Sequence, residues 1–258
     1  MFNETDPRIL ESIREISGTY DIVASAIEKK KRLFKFGRSD DLGTSSEMVW
    51  TNGGLEILPT GNTIDRAVST DAGDDAVIGY EVHTIDGDNK ATFYVRTVTV
   101  NGVTPVVIEG VGRVSRAYVV SGTLNGDFTI YESGNAQEHI QILGSLGDRQ
   151  SFKCATTISD KDFGLLSGLT VSVGKKTAAT VDFTLELAPI GGIFRPISGL
   201  VSVSSAGAST FQDKFDPFVI IPNNHDVRMV AVSSATATRV SARLDLRLLI
   251  DLAKVNGI

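Results

Sequence analysis

The C-terminal stretch Arg239 to Leu252, RVSARLDLRLLIDL, constrains the fold more than any other part of the chain. Val240, Ala242, Leu244, Leu246, Leu248, Ile250 and Leu252 alternate with Arg239, Ser241, Arg243, Asp245, Arg247 and Asp251, and Leu249 is the exception. Successive side chains of a strand point to opposite faces. A period of two therefore predicts a strand with one core face and one face that is wet or meets a partner. The row Arg239, Arg243, Arg247 is a candidate for such a partner face. From about Leu55 shorter runs repeat the pattern: TFYVRTVTV, VSRAYVVSG, GDFTIYESG, LTVSVGKK, TVDFTLELA, LVSVSS, FDPFVIIP and VRMVAVSS. Each is bounded by Gly, Pro, Asn or Asp, the residues that make turns. Many short strands without alternating helices predict a mainly β chain, an antiparallel β-sandwich or jelly-roll-like body over residues 55–258. Glu138 to Gln150 is a candidate break between two sheet-rich halves, 55–137 and 150–258. Two domains and two parts of one sandwich both stay open.

The first 54 residues read differently, as a helical segment followed by an extended anchoring arm. Asp6-Pro7 is a helix start, because Asp accepts from free N–H groups and Pro suits the first helical position. Ile9, Leu10, Ile13 and Ile16 recur at helical spacing, and Gly18 can close the helix. The next segment, TYDIVASAIEKKKRLFKFGR, is predicted helical through its middle and basic at its end, where cations suit the negative pole of a helix. Lys29, Lys30, Lys31, Arg32, Lys35 and Arg38 form the one charge cluster against the overall sign. Its plain reading is a solvated helix end. Its functional reading is an anchor on an acidic partner surface, or a contact with packaged nucleic acid. Phe34 and Phe36 interleave with the cations and suit an apolar groove. Trp50, the only tryptophan, lies in the Ser-, Thr-, Asp- and Gly-rich arm and is a second candidate anchor.

Chemistry-bearing motifs fail on inspection. Gly110 and Gly112 imitate a dinucleotide fingerprint, but Ser115 holds its third position and β-branched residues follow where a helix must start. A bulge or a close backbone approach is the better reading. Gly168 to Lys176 has five residues between its glycines and lacks the hydroxyl residue of a P-loop, so Gly174-Lys175-Lys176 reads as a hairpin turn. Asp162-Phe163-Gly164 matches a kinase metal loop by chance, with no partner motif. The acidic turns Asp71 to Asp75 and Asp86 to Asn89 read as solvated turns, with adventitious calcium as the alternative. His83, His139 and His225 share no metal-ligand spacing, and no nucleophile elbow occurs. No catalytic, cofactor-binding or metal residue is therefore assigned, and a small-molecule ligand is left open.

Composition narrows the setting. The net charge of −6 does not favour a nucleic-acid surface, and no apolar run reaches the roughly 18 residues of a membrane span. The acidic N-terminus does not resemble a signal peptide. A single cysteine, Cys154, excludes an internal disulfide framework and suits assembly in a reducing cytoplasm, as a small residue in a strand.

Two stretches carry a resemblance. KFGRSDDLGTSSEMVWTNGG, Lys35 to Gly54, resembles the arm of a group of tailed-phage virion proteins common in environmental, including marine, phages. The block Val98 to Gly122, TVNGVTPV and then RVSRAYVVSG, is similar to a strand-turn-strand unit of that group. The resemblance implies a non-enzymatic virion structural protein, a β-sandwich in a symmetric homo-oligomer. It would contact tail, neck or major capsid proteins and copies of itself, and work in the virion after assembly in the host cytoplasm. Docking by the N-terminal arm into a tail or neck assembly is the expectation. A head decoration protein and a carbohydrate-binding receptor-recognition module are the alternatives, the latter disfavoured by the 7% aromatic content.

Overall fold

The computed structural model describes residues 31–174, 179–197, 200–206 and 209–250, with backbone alone at Lys31, Arg32 and Ile250. The helix expected from Asp6, the middle of the second segment, and Lys29 and Lys30 lie outside the described residues. The chain runs through β1 (Lys31–Leu42) and the short β2 (Glu47–Met48). Next come β3 (Ile64–Ser69), β4 (Val77–Ile85), β5 (Ala91–Thr99), β6 (Val106–Val111), β7 (Arg113–Ser121), β8 (Asp127–Glu132) and β9 (Glu138–Leu143). A 3₁₀ turn at Gly144–Leu146 leads on to β10 (Ala155–Ile158), β11 (Asp162–Gly174), β12 (Thr180–Pro189) and β13 (Arg195–Pro196). The series closes with β14 (Val201–Ser204), β15 (Thr210–Ile221), β16 (His225–Ser233) and β17 (Thr238–Ile250).

These strands build two antiparallel β-sandwiches. In the first, sheet β6-β3-β8-β9 packs on sheet β5-β4-β7. Their shared core holds Ile64, Ile78, Val82, Val114, Phe128, Ile130 and Ile142. In the second, sheet β1-β17-β11-β15 packs on β10-β16-β12, with β13 and β14 added to β12 and β2 added to β16. Its core holds Leu42, Leu166, Val171, Phe183, Met229, Leu244 and Leu246. Each such side chain removed from water contributes about 1.5–3 kcal/mol. The first sandwich is inserted between β2 and β10 of the second, so the chain crosses the junction twice.

The alternation of the last strand has its cause here. β17 lies between β1 and β11, and Val240, Ala242, Leu244 and Leu246 point into the core. The opening glycines shape the sheet. Gly112 alone joins β6 of one sheet to β7 of the other, and a Cβ there would lie 2.4 Å from Ile85 Cγ1. A Cβ on Gly110 would lie 2.4 Å from the Asn62 carbonyl oxygen.

Three expectations are corrected. The basic run from Lys31 to Arg38 is a strand, not a helix end. It pairs antiparallel with β17, Phe34 opposite Asp245 and Phe36 opposite Arg243. Its side chains alternate across the sheet, and the partner strand supplies the hydrogen bonds that a helix would have supplied locally. Residues 31–54 are therefore not an arm leading to a body that starts at 55, because β1 and β2 are strands of the second sandwich. Finally, β11 and β12 belong to different sheets, so Gly174 opens a sheet-to-sheet connection rather than a hairpin.

Candidate docking face

β1 divides the candidate residues between two faces. On the outer face stand Phe34 and Phe36, 44% and 42% exposed, followed by Arg38. The neighbouring strand brings Arg243 to the same face, its guanidinium 4.3 Å from the Phe34 ring centroid. Phe36 meets Phe152 edge-on at 5.6 Å, and Arg38 lies 4.7 Å over that same Phe152 ring. Arg247, further along β17, approaches Phe218 at 5.9 Å. Guanidinium groups over aromatic faces are held by the ring quadrupole, worth about 0.5–1 kcal/mol at exposed sites. The result is a patch of flat, half-exposed aromatics pre-arranged by cations. Arg239, Arg243 and Arg247 do share one strand face with the phenylalanines of β1, a convergence that only the β1–β17 pairing creates. Arg239 and Arg38 both reach Asp40, at 2.7 and 3.1 Å. Arg38 also donates to Asp148 Oδ2 at 2.8 Å, tying the strand to the first sandwich.

The inner face of β1 does structural work. Lys35, 3% exposed, donates to Glu81 Oε2 at 2.9 Å and to Ser115 Oγ at 3.2 Å, both in the first sandwich. At Gly37 the chain passes close to its neighbours: a Cβ would lie 2.1 Å from the Val49 carbonyl oxygen and 2.5 Å from Cys154 N. Trp50 is 2% exposed, donates from Nε1 to the Gly53 carbonyl at 2.9 Å, and covers the Lys153 ammonium at 5.4 Å. Lys35 and Trp50 are thus buried fixtures of the fold and leave the set of anchors. Cys154 is also buried, and burial pushes its thiol far up from the ordinary value.

A second group, which sequence reasoning missed, joins the two sandwiches. Arg113 of β7 makes a two-pronged contact with Asp226 of β16, Nε to Oδ1 at 3.0 Å and Nη2 to Oδ2 at 2.8 Å. Thr157 Oγ1 donates to the same carboxylate at 2.6 Å. Lys153 donates to Glu56 Oε1 at 2.6 Å and to the carbonyls of Val114 and His139 at 2.8 and 2.9 Å. His139 Nδ1 lies 3.0 Å from that same Glu56 oxygen. Burial alone would raise the Glu56 carboxyl; Lys153 and His139 hold it below its ordinary value instead. Burial lowers Lys153, and Glu56 opposes that. Carboxylate, ammonium and imidazole stand together here as in a catalytic site. Yet each is committed to a partner that pins one of the two crossing segments, 55–59 and 151–154.

The acidic turns are likewise committed to the backbone. Asp74 accepts from the N–H groups of Asn125 and Gly126 at 2.7 and 3.0 Å and from Ser69 Oγ at 2.5 Å. Asp86 accepts from the N–H groups of Asp88 and Lys90. His225 Nδ1 lies 2.8 Å from the Asn223 carbonyl. Charge is unevenly spread: residues 55–150 hold six Lys and Arg against thirteen Asp and Glu, while the remainder of the chain is nearly balanced. The cationic outer face of β1 and β17 therefore belongs to the less acidic half.

No protein-family profile matches this chain, and no curated protein matches it. Solved structures with some likeness include infectious bursal disease virus of the Gt strain, at 13% identity and a TM-score of 0.24, over 86% of this chain and 72% of that one. The VP2 subviral particle of the same virus gives 12% identity and 0.26, over 89% of this chain and 74% of that one. Scores this low carry no argument about what the chain does.

Proposed function

We propose that the chain is a non-enzymatic structural subunit of a tailed-phage virion, docked into a symmetric tail or neck assembly through its N-terminal segment and the face beside it. The carrying observation is the pair Phe34 and Phe36, two-fifths exposed on an edge strand and ringed by arginines. They stand immediately after the basic run Lys29 to Arg32. Aromatic residues and arginine are the types that dominate binding energy when a partner covers them. The resemblance of Lys35 to Gly54 and of Val98 to Gly122 to phage virion proteins supports the same reading.

The test is incorporation into particles of the parent phage. A chain lacking residues 1–30 keeps β1 and is expected to fold but stay off the particle. The double variant Phe34→Ser/Phe36→Ser is expected to be incorporated poorly while keeping the wild-type circular dichroism and one cooperative thermal transition. Normal incorporation of the shortened chain would overturn the docking role. Antibody label spread over the shell, rather than gathered at one vertex, would move the protein from tail to head surface.

A further inference from the structure

We infer that Asn52 is a site of spontaneous deamidation, through a cyclic imide with the Gly53 nitrogen, and that its conversion loosens the junction of the two sandwiches. The inference rests on the turn 51–54 and its contacts, and stands whether or not the chain docks on a virion.

Asparagine is a thermolabile residue, and a glycine after it leaves the reacting atoms least hindered, because glycine carries no Cβ. The chain has four Asn-Gly pairs, at Asn52, Asn101, Asn125 and Asn256, the last outside the described residues. In the reaction the backbone nitrogen of the glycine attacks Cγ of the asparagine. A new C–N bond forms, the bond from Cγ to the amide nitrogen breaks, and ammonia leaves with the proton of the glycine nitrogen. Water then opens the ring at either carbonyl, giving aspartate or its isomer with the backbone routed through the side chain. The glycine N–H must therefore give up any hydrogen bond it makes, and the backbone must have room to turn.

The three described pairs differ on both counts. Gly102 N donates to the Asp74 carbonyl at 3.0 Å, and a Cβ there would lie 2.6 Å from the Ala72 carbonyl oxygen. Gly126 N donates to Asp74 Oδ2 at 3.0 Å, and a Cβ there would lie 2.4 Å from Asp71 N. Both glycines are buried, so reaction at either breaks a bond to Asp74 in packed surroundings. Gly53 is half-buried, and its N–H has no acceptor among the described residues. A Cβ on it would meet Glu47 Oε2 alone, at 3.6 Å. The turn is held through other groups: Trp50 Nε1 donates to the carbonyls of Gly53 and Gly54 at 2.9 and 3.1 Å, and Gly54 N donates to Glu47 Oε2 at 3.0 Å. These bonds place the turn and leave the Gly53 nitrogen able to attack.

The conversion removes a contact across the junction. Asn52 Nδ2 donates to Glu138 Oε2 at 2.8 Å, which ties the segment leaving β2 to β9 of the first sandwich. When that nitrogen departs as ammonia, a carboxylate stands where the donor stood and faces the Glu138 carboxylate. Like charges set against each other repel. The Trp50 indole is bonded to the same turn, so its fluorescence reads the change.

The test holds the full chain warm at mildly alkaline pH for several weeks, with a parallel sample unfolded in urea. Peptide mass spectrometry reads the one-dalton gain of an amide turned acid at each asparagine. In urea the three sites are expected to convert at similar rates. In the folded chain Asn52 is expected to convert faster than Asn101 or Asn125 by roughly tenfold or more, the factor that one hydrogen bond on the attacking nitrogen imposes. Asn52→Gln, which needs a larger ring, is expected to show no gain at that position and to keep the wild-type circular dichroism. Asn52→Asp reproduces the direct product and is expected to bring the Trp50 fluorescence transition below the circular dichroism transition on heating. An Asn52 that stays intact in the folded chain while the unfolded sample converts would overturn the site. So would Asn101 or Asn125 converting as fast as Asn52 in the folded chain. Coincident transitions in Asn52→Asp would overturn the loosening of the junction.

Discussion

Lys153 and Glu56 show what a buried charge does in this protein. Their pairing repays the removal of both ions from water, so removing one partner leaves the other uncompensated. Lys153→Met or Glu56→Gln is expected to destabilise the fold by about 3–5 kcal/mol. The double variant is expected to lose less than the sum, as residues in one network couple. Urea unfolding of the three variants checks both statements. The sign of the pH dependence follows from Glu56 and Asp74. Both carboxyls are held below their ordinary values, although burial alone would raise them: Lys153 and His139 do this for Glu56, and backbone N–H groups with Ser69 do it for Asp74. A lowered folded-state value means stability that is present above the unfolded-state value and lost as pH falls through the folded one. Denaturation midpoints should therefore fall with pH on the acid side of the carboxylate range. Glu56→Gln should flatten that fall, and a slope unchanged by the substitution would assign the effect elsewhere.

At the scale of elements, β1 decides how far the chain can be shortened. Deleting residues 1–30 leaves its pairing with β17 intact. Deleting residues 1–42 removes the strand and uncovers Leu244 and Leu246, both fully buried. The first deletion is expected to keep one cooperative thermal transition and the second to lose it, as followed by circular dichroism. The four residues KFGR now have separate roles. Lys35 holds the other sandwich, Phe36 meets Phe152 edge-on, Gly37 admits the Val49 carbonyl, and Arg38 reaches Asp148. Gly37→Ala is expected to cost about 1–3 kcal/mol, the usual cost of overpacking, because the atoms it would strike are backbone. A melting temperature unchanged by this substitution would show that the two segments separate freely.

For the whole molecule, the question is whether two sandwiches unfold as one. The junction rests on Lys35–Glu81, Arg113–Asp226 and Lys153–Glu56, together with the two crossing segments. Trp50 lies at that junction and is the sole tryptophan, so its fluorescence reports there. In the wild-type chain the fluorescence and circular dichroism transitions should coincide. Asp226→Ala leaves Arg113 buried without its carboxylate and should separate them, the fluorescence moving first. Coincident transitions in the variant would show that the sandwiches cohere without this pair.

Fold class and most of the strands are legible in the residue pattern alone. Nine runs of period two, among them TFYVRTVTV and RVSARLDLRLLIDL, lie on strands over their described residues, and TVDFTLELA keeps one apolar face turned to the core, a local pattern. The residue pattern also located the exposed phenylalanines and the arginine row. The rest depends on contacts between segments far apart in the chain. β4 is buried on both faces, so its residues do not alternate. In β1 the inward positions are Lys35, Gly37 and Ser39, which signal no core until Glu81 and Ser115, 46 and 80 residues away, supply the partners. The Arg113–Asp226 pair spans 113 residues, and no spacing rule links groups that meet only when two sandwiches close on one another. Burial pattern is a property of a segment and is written locally. Charge pairing across a junction is a property of two segments and is settled when the chain brings them together.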